Sequence, residues 1–152
     1  AGDLLMARVT PERLASSARS VARKLAVQAL YGWQLNPAPW QDLVQEYATD
    51  ADMPKADQAY FRALVAGVGA GSEALDTALA PWMDRKPAGL DPVERAVLWI
   101  GTHELRAMPD VPFRVVISEA VSLAKRFGAT DSHRFVNAVL DKAARDLRPH
   151  EH

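Results

Sequence analysis

The side chains best suited to chemistry are few and widely spaced in this sequence. It has no cysteine, and its four histidines are His103, His133, His150 and His152. Without a thiol there is no disulfide, no Cys-ligated zinc and no thiolate nucleophile, and the histidine spacing matches no metal-binding motif. The sequence therefore predicts neither a metal nor a cofactor. The lack of cysteine also favours a reducing compartment, so we predict a cytoplasmic protein.

Two short strings place acids and bases side by side, His103-Glu104 and Asp131-Ser132-His133. A catalytic triad is defined by geometry in space, and neighbours on one helix point in different directions. The chain also lacks the motifs of a nucleophile elbow, a phosphate-binding loop and a zinc protease. We therefore predict that it is not an enzyme. Asp131 or Ser132 is expected to cap a helix, and Glu104 to accept hydrogen bonds from a neighbouring helix start inside the core.

The charge balance limits how the protein could bind nucleic acid. The formal net charge is −1, with 49% hydrophobic and 24% charged residues. A protein that coats nucleic acid non-specifically usually carries a large positive excess. An RNA site here must therefore be a local basic patch on a protein with a well-filled core.

One candidate patch lies on the first predicted helix. At about 100° per residue, Leu14, Ala18, Val21 and Leu25 share one face of it. The opposite half carries four cations and an aromatic ring, which could hold phosphates and stack a base. These residues are Arg13, Arg19, Arg23, Lys24 and Tyr31. An ordinary solvated helix face is the alternative, because most surface helices carry arginine and lysine.

A second candidate patch opens the last predicted helix. Its apolar seam includes Val136 and Val139, and Phe135 is rotated about 100° from Val136, towards the edge of that seam. Phe135 directly follows Arg134. A phenylalanine beside a cation at a helix start can stack a base, and it can equally be a peripheral core residue. The pattern by itself favours the core position.

The elements that must position these residues are all predicted to be helices. We expect helices over about 11–35, 39–48, 55–70, 72–83, 92–107, 113–127 and 132–147, bounded by proline, glycine and capping residues. No segment alternates as a strand does, and none is long and apolar enough to span a membrane. Residues 1–10 are expected to form a frayed arm. The predicted fold class is all-α, with about seven helices.

We predict one domain, 1–152, made of two packed helical subdomains, 11–70 and 72–148. They are expected to join near residues 70–72, where Gly69 and Gly71 end one helix and Ser72 caps the next. Gly128 is expected to end the helix 113–127 in the left-handed conformation that glycine tolerates. The helix from Pro92 is apolar nearly all round, which predicts a central position in the bundle.

Five segments, in order along the chain, resemble the NusB family of bacterial transcription antitermination factors. They are ARKLAVQALYGWQL (22–35), YFRALVAGV (60–68), LDPVERAVL with HEL (90–98 and 103–105), DVPFRVVISEA (110–120) and FGATDSHRFVNAVLDK (127–142). The resemblance covers about residues 18–148. It implies a fold of two packed helical bundles, with neither catalytic activity nor a cofactor.

The resemblance also implies what the chain binds. Family members bind the boxA element of leader RNA together with the ribosomal protein NusE, and they let the elongation complex pass termination signals, notably on ribosomal RNA operons. By motif position, the implied RNA surface consists of Arg19, Arg23, Lys24, Tyr31, Asp131, Arg134 and Phe135, and the implied partner residue is Glu94. Many members have a run of arginines where this chain has Arg19-Ser20-Val21, which implies either weaker binding of RNA by the isolated chain or compensation by Arg13 and Lys24.

Two other functions stay open at this point. Similar helical domains precede the catalytic part of ribosomal RNA cytosine methyltransferases, although we expect no such part here because the sequence ends soon after Arg148. A protein-interaction module without an RNA role is the other alternative. A homodimer is also possible, because some relatives self-associate.

Overall fold

A computed structural model describes residues 10–151. Six α-helices fill most of that range: α1 (Pro11–Leu35), α2 (Trp40–Tyr47), α3 (Gln58–Leu79), α4 (Pro92–Ala107), α5 (Phe113–Phe127) and α6 (Ser132–Leu147). The structure has no strand between residues 10 and 151, which confirms the all-α prediction. Within the same range, no helix has the length and apolarity needed to cross a membrane. Apart from Thr10, the predicted arm lies outside the described residues.

The long helix α1 begins and ends where its sequence signals predict. The Thr10 hydroxyl accepts a hydrogen bond from the Arg13 backbone N–H at 3.2 Å, which satisfies one of the free amides of the first turn. Pro11 follows at the first helical position, where its fixed φ suits a helix and no N–H is needed. The helix ends at Leu35 because Pro37 follows closely. Helix α1 packs against α3, α4 and α5.

Helix α4 lies at the centre of the bundle, as its nearly continuous apolar surface predicts. The Asp91 carboxylate caps it by accepting hydrogen bonds from the backbone N–H groups of Val93 and Glu94, at 2.8 and 3.3 Å. Its buried residues run almost without a break from Ala96 to Leu105. It packs against α1, α3, α5 and α6, so every long helix of the described chain touches it.

The break predicted around Gly69 and Gly71 is present as a kink in the helical segment Gln58–Leu79. Gly71 is not helical, with φ −128° and ψ 19°, so two helices meet there and are counted together as α3. Helix α2 approaches α3 closely at Gly69, where a Cβ would lie 2.4 Å from Cβ of Trp40. The described residues therefore form six helices, close to the seven predicted. The division into two subdomains stays a prediction, with the kink at its expected boundary.

Gly128 ends α5 for a different reason from the one predicted. Its φ is −90° and its ψ is 177°, an extended conformation that any residue adopts. Space is the constraint, because a Cβ would lie 2.7 Å from the Ala124 carbonyl oxygen and 2.9 Å from Cβ of Ser132. The turn between α5 and α6 is therefore tight, and it holds the start of α6 against the end of α5.

The close packing of α2 on α3 can be tested with matched substitutions. Gly69→Ala should lower the free energy of unfolding by about 1–3 kcal/mol, because the added methyl group overpacks the contact with Trp40. Gly32→Ala in α1 is the control, since no atom lies within 4 Å of its would-be Cβ. Alanine loses less backbone entropy on folding than glycine does, so Gly32→Ala should be more stable than the wild type by about 0.5–1 kcal/mol. Urea unfolding measures both, and equal effects would contradict this packing.

Candidate nucleic-acid interface

Arg23, predicted to lie on a solvent-exposed basic face, is buried. The residue is 2% exposed, and its guanidinium points into the protein. Its Nε donates to both carboxylate oxygens of Glu104, at 3.1 and 3.0 Å, and its Nη2 donates to Oε2 at 2.9 Å. The prediction of exposure is therefore wrong, because helical periodicity marks the polar side of α1 but not which other helix covers it.

Glu104 is the buried hydrogen-bond acceptor that the sequence predicts, with different donors. It is 1% exposed, and besides Arg23 it accepts a hydrogen bond from the Tyr60 hydroxyl at 2.5 Å. The donors are thus side chains of α1 and α3, whereas the sequence predicted a helix start. Burial opposes the charge on Arg23, but the ion pair with Glu104 raises the pKa of Arg23 above its ordinary value. Burial and the Glu104 charge also raise the pKa of Tyr60, which keeps the phenol neutral.

Helix α5 covers the strip of α1 that lies between Arg19 and Lys24. The Ser20 hydroxyl donates to Oε1 of Glu119, and Nη1 of Arg23 lies 3.5 Å from the same oxygen. At about 100° per residue, Lys24 is about 140° around α1 from Arg19. The basic face predicted from the sequence is therefore divided into two sides by α5.

Arg19 lies on one of these sides and is held within the protein surface. Its guanidinium is 3.9 Å from Asp57 and 3.8 Å from Asp110, and it lies over the Tyr60 ring at 4.6 Å. Arg19, Asp57 and Asp110 line a cavity of about 440 Å³. Arg19 remains half exposed, so its contact with RNA stays a prediction, although two carboxylates already compete for its charge.

Lys24 lies on the other side, within a cluster of charges. Its Nζ donates to Oδ2 of Asp52 at 2.7 Å, and this contact is the main reason why the pKa of Asp52 falls below its ordinary value. The positive charges of Lys55 and Arg126 act on Asp52 in the same direction. Asp52 is thus in contact with one cation, Lys24, and feels the charges of two more from separate parts of the chain. Lys55 and Arg126 are not among the cations predicted from the sequence, because they lie on other elements and no spacing within one helix links them to Lys24.

An apolar cavity of about 250 Å³ lies near this cluster. Tyr31, which is 39% exposed, lines it together with Gln28 of α1 and Phe127 at the end of α5. The Arg126 guanidinium lies 5.3 Å from the centre of the Phe127 ring. Cations and aromatic rings therefore occur together here, as the sequence predicts for a nucleic-acid site, but α5 supplies two of them, Arg126 and Phe127. We call this surface, formed by Lys24, Gln28, Tyr31, Lys55, Arg126 and Phe127, the basic–aromatic surface.

The start of α6 presents the remaining predicted residues. Asp131 occupies the N-cap position, and its backbone carbonyl accepts from the Arg134 N–H at 3.1 Å. Its carboxylate makes no capping hydrogen bond, and the Ser132 hydroxyl is buried without a partner among the described residues. Asp131 is therefore at the N-cap position that the sequence predicts, but its side chain does not form the capping hydrogen bond. Asp131 and Arg134 are both exposed, so both remain accessible to a ligand.

Phe135 lies at the edge of the core, as a peripheral core residue does, and its contact with RNA stays a prediction. It is half-buried and packs against the hydrophobic cluster. Its ring is covered by Arg85, whose guanidinium carbon is 4.2 Å from the ring centre. The sequence analysis did not single out Arg85, which lies 50 residues earlier in an irregular segment.

Glu94, the implied partner residue, lies in the first turn of α4 and is only 8% exposed. Its backbone N–H is capped by Asp91, and its carboxylate forms no hydrogen bond with another residue of the described chain. It follows Val93, which lines the cavity at Tyr31. A partner could reach only the edge of this carboxylate, and the role of Glu94 stays a prediction.

The comparison with known proteins decides the family. The model of the NusB family matches residues 20–145, which is most of the chain. The chain belongs to the NusB family. A relative from Idiomarina loihiensis, the transcription antitermination protein NusB, is 52% identical over 133 residues, which cover 88% of this chain and 96% of the relative. The predicted resemblance is confirmed.

Solved structures of NusB proteins share the fold. T. maritima NusB has a TM-score of 0.75 and 28% identity, and the match covers 88% of this chain and 94% of that one. A crystal structure of the antitermination factors NusB and NusE with double-stranded RNA matches with a TM-score of 0.69 and 24% identity, over 84% of this chain and 96% of that one. The helical bundle described above is therefore the NusB fold.

The buried ion pair that holds α1 in this NusB fold can be tested by unfolding experiments. Arg23→Met should lower the free energy of unfolding by about 3–5 kcal/mol, because Glu104 is left buried without its counter-charge. Combining it with Glu104→Leu and Tyr60→Phe removes the three buried polar side chains and should restore most of the loss, while Glu119 keeps its hydrogen bond from Ser20. Arg19→Met is the control, with an expected loss below about 1 kcal/mol for an exposed ion pair. Equal losses for Arg23→Met and Arg19→Met in urea titrations would contradict the structure.

Proposed function

We propose that this chain is a non-catalytic transcription antitermination factor that acts in the cytoplasm. It binds boxA-type single-stranded leader RNA together with the ribosomal protein NusE, as part of the transcription elongation complex. The observation that carries the proposal is the basic–aromatic surface, a concentration of cations and rings on a chain whose net charge is −1. The names of the NusB relatives support the antitermination role.

The basic–aromatic surface offers the two kinds of contact that single-stranded RNA needs. Lys24, Lys55 and Arg126 can hold successive phosphates, and binding releases the counter-ions of the RNA. Tyr31 and Phe127 can stack bases, which is sequence-tolerant because every base has a π face. The side-chain amide of Gln28 lines the same cavity and can hydrogen-bond a base edge.

The start of α6 extends this surface along the chain. Phe127 ends α5 and Asp131 precedes α6 by one residue, so a tight turn joins the two sets of residues. Asp131 offers an uncommitted carboxylate to donors on a base, and Arg134 offers an exposed charge to a phosphate. Arg23 is not included in this surface, because its guanidinium is buried in an ion pair with Glu104.

The proposal of a protein partner rests on the predicted RNA-binding cations that are already paired with carboxylates of this chain. Lys24 already pairs with Asp52, and Arg19 with Asp57 and Asp110, so the isolated chain has few free phosphate contacts. A second protein that adds basic residues beside this surface would strengthen RNA binding. NusE accompanies NusB and RNA in a structural neighbour, so NusE is the partner to test.

The partner proposal predicts cooperative binding. Titrations of a fluorescent boxA RNA at matched salt should show tighter binding by the chain with NusE than without it. A scrambled RNA of the same length serves as the control and should gain less from NusE. Equal boxA affinity with and without NusE would reject the partner proposal. No RNA binding in either case would favour a plain protein-interaction module or a domain that assists a methyltransferase.

The charge cluster predicts opposite effects for two neighbouring substitutions. Lys24→Ala should weaken RNA binding and reduce the slope of log affinity against log salt by about 0.7, the value for one lost phosphate contact on a single strand. Asp52→Asn should strengthen binding, because the carboxylate that competes with phosphate for Lys24 is removed.

The control for both substitutions is Arg145→Ala, which removes an exposed cation about 16 Å further along α6 from Arg134. It should leave RNA affinity nearly unchanged. Weaker binding by Asp52→Asn, with an unchanged melting temperature, would show that Asp52 positions Lys24 for RNA and does not compete with it.

A further inference from the structure

Arg85 occupies a position that its own ion pairing does not explain. It lies between the short turns Ala80–Trp82 and Pro87–Gly89, and its side chain is 51% exposed. Its one ion pair among the described residues is with the adjacent Asp84, at 3.4 Å, and Asp84 is itself highly exposed. Exposed pairs of this kind contribute little to stability. The guanidinium instead lies over the Phe135 ring, 4.2 Å from its centre.

The Phe135 ring supports this guanidinium from one side and is itself fixed in position. One side of the phenylalanine packs against the core, so the ring cannot turn away without disturbing α6. Arg85 therefore presents a plane to solvent, backed by an aromatic ring. A guanidinium is flat and can stack on a ring with one face and on a nucleobase with the other. Its Nε–H faces Asp84 at 3.4 Å, and the four N–H groups on its two terminal nitrogens remain free to donate to phosphate or to a base.

The groups around this stack suit a nucleotide. Arg134 is exposed and has no ion pair with another described residue, and it precedes Phe135 directly. The Asp131 carboxylate, one helical turn earlier, makes no capping hydrogen bond. A cation for phosphate and an acceptor for base N–H groups thus lie beside the exposed plane of Arg85.

We propose that Arg85 contacts the RNA directly, as the outer layer of a stack in which its guanidinium lies between the Phe135 ring and a nucleobase. This inference rests on the proposed RNA-binding function and adds a residue to it. It requires that Arg85 stays on Phe135 when RNA binds. If Arg85 were only a cover that a base displaces, its removal would expose the ring and strengthen binding. The two arrangements therefore predict opposite changes in RNA affinity when Arg85 is replaced: weaker binding if Arg85 stacks on the base, and tighter binding if it only covers the ring.

The test compares three variants in complex with NusE, titrated with a fluorescent boxA RNA at several salt concentrations. Arg85→Ala should weaken binding about tenfold, the loss of one stacked base, and reduce the salt slope by about 0.7. Arg85→Lys keeps the charge but not the plane, so it should retain the wild-type salt slope and still bind more weakly. Arg145→Ala, which removes an exposed cation elsewhere on α6, should bind like the wild type.

Melting curves and one further variant separate the possible failures. Arg85→Ala should melt within a few degrees of the wild type, because Arg85 is an exposed side chain. Unchanged or tighter RNA binding by Arg85→Ala, while Phe135→Ala binds more weakly, would overturn the role of Arg85 and leave the proposed function intact. If the wild-type complex does not bind the RNA at all, the proposed function fails and this inference fails with it.

Discussion

The buried ion pair between Arg23 and Glu104 determines the shape of the rest of the molecule. It joins α1 to α4, and Tyr60 extends it to α3 through a hydrogen bond to the same carboxylate. Two charges taken out of water are tolerated only when their hydrogen bonds are satisfied, so this contact permits one register of α1 against its neighbours. Glu119 of α5 approaches Arg23 from the other side and links a fourth helix to the cluster. The cluster therefore decides which side of α1 faces solvent.

The register of α1 also determines which cations and aromatic rings lie together on the surface. With Arg23 facing inward, α5 lies along α1, and Lys24 and Tyr31 emerge on its far side beside the end of α5. Arg126 and Phe127 are then brought next to them, which doubles the cations and rings available at one place. A chain with a net charge of −1 can thus offer a concentrated basic site without a large overall excess of positive charge.

The sequence was sufficient for the features that depend on local rules. The prolines at the two ends of α1 and the apolar surface of α4 predicted the helix bounds and the central helix, because they act within one turn or one helix. Contacts between helices were not predictable in this way. Periodicity placed Arg23 on a polar face but could not show that Glu104, 81 residues later, would cover it. Trp40 beside Gly69 and Arg85 over Phe135 are likewise long-range contacts that no spacing rule contains.

Arg23 is held inside the protein by Glu104, so it should not touch RNA at the proposed surface. The direct test is the salt slope of RNA binding by the neutral triple variant Arg23→Met, Glu104→Leu, Tyr60→Phe, measured with NusE at several salt concentrations. The folded variant should keep the wild-type salt slope, because no phosphate contact is removed. A slope reduced by about 0.7, in a variant that circular dichroism shows to be folded, would mean that Arg23 leaves Glu104 and binds a phosphate.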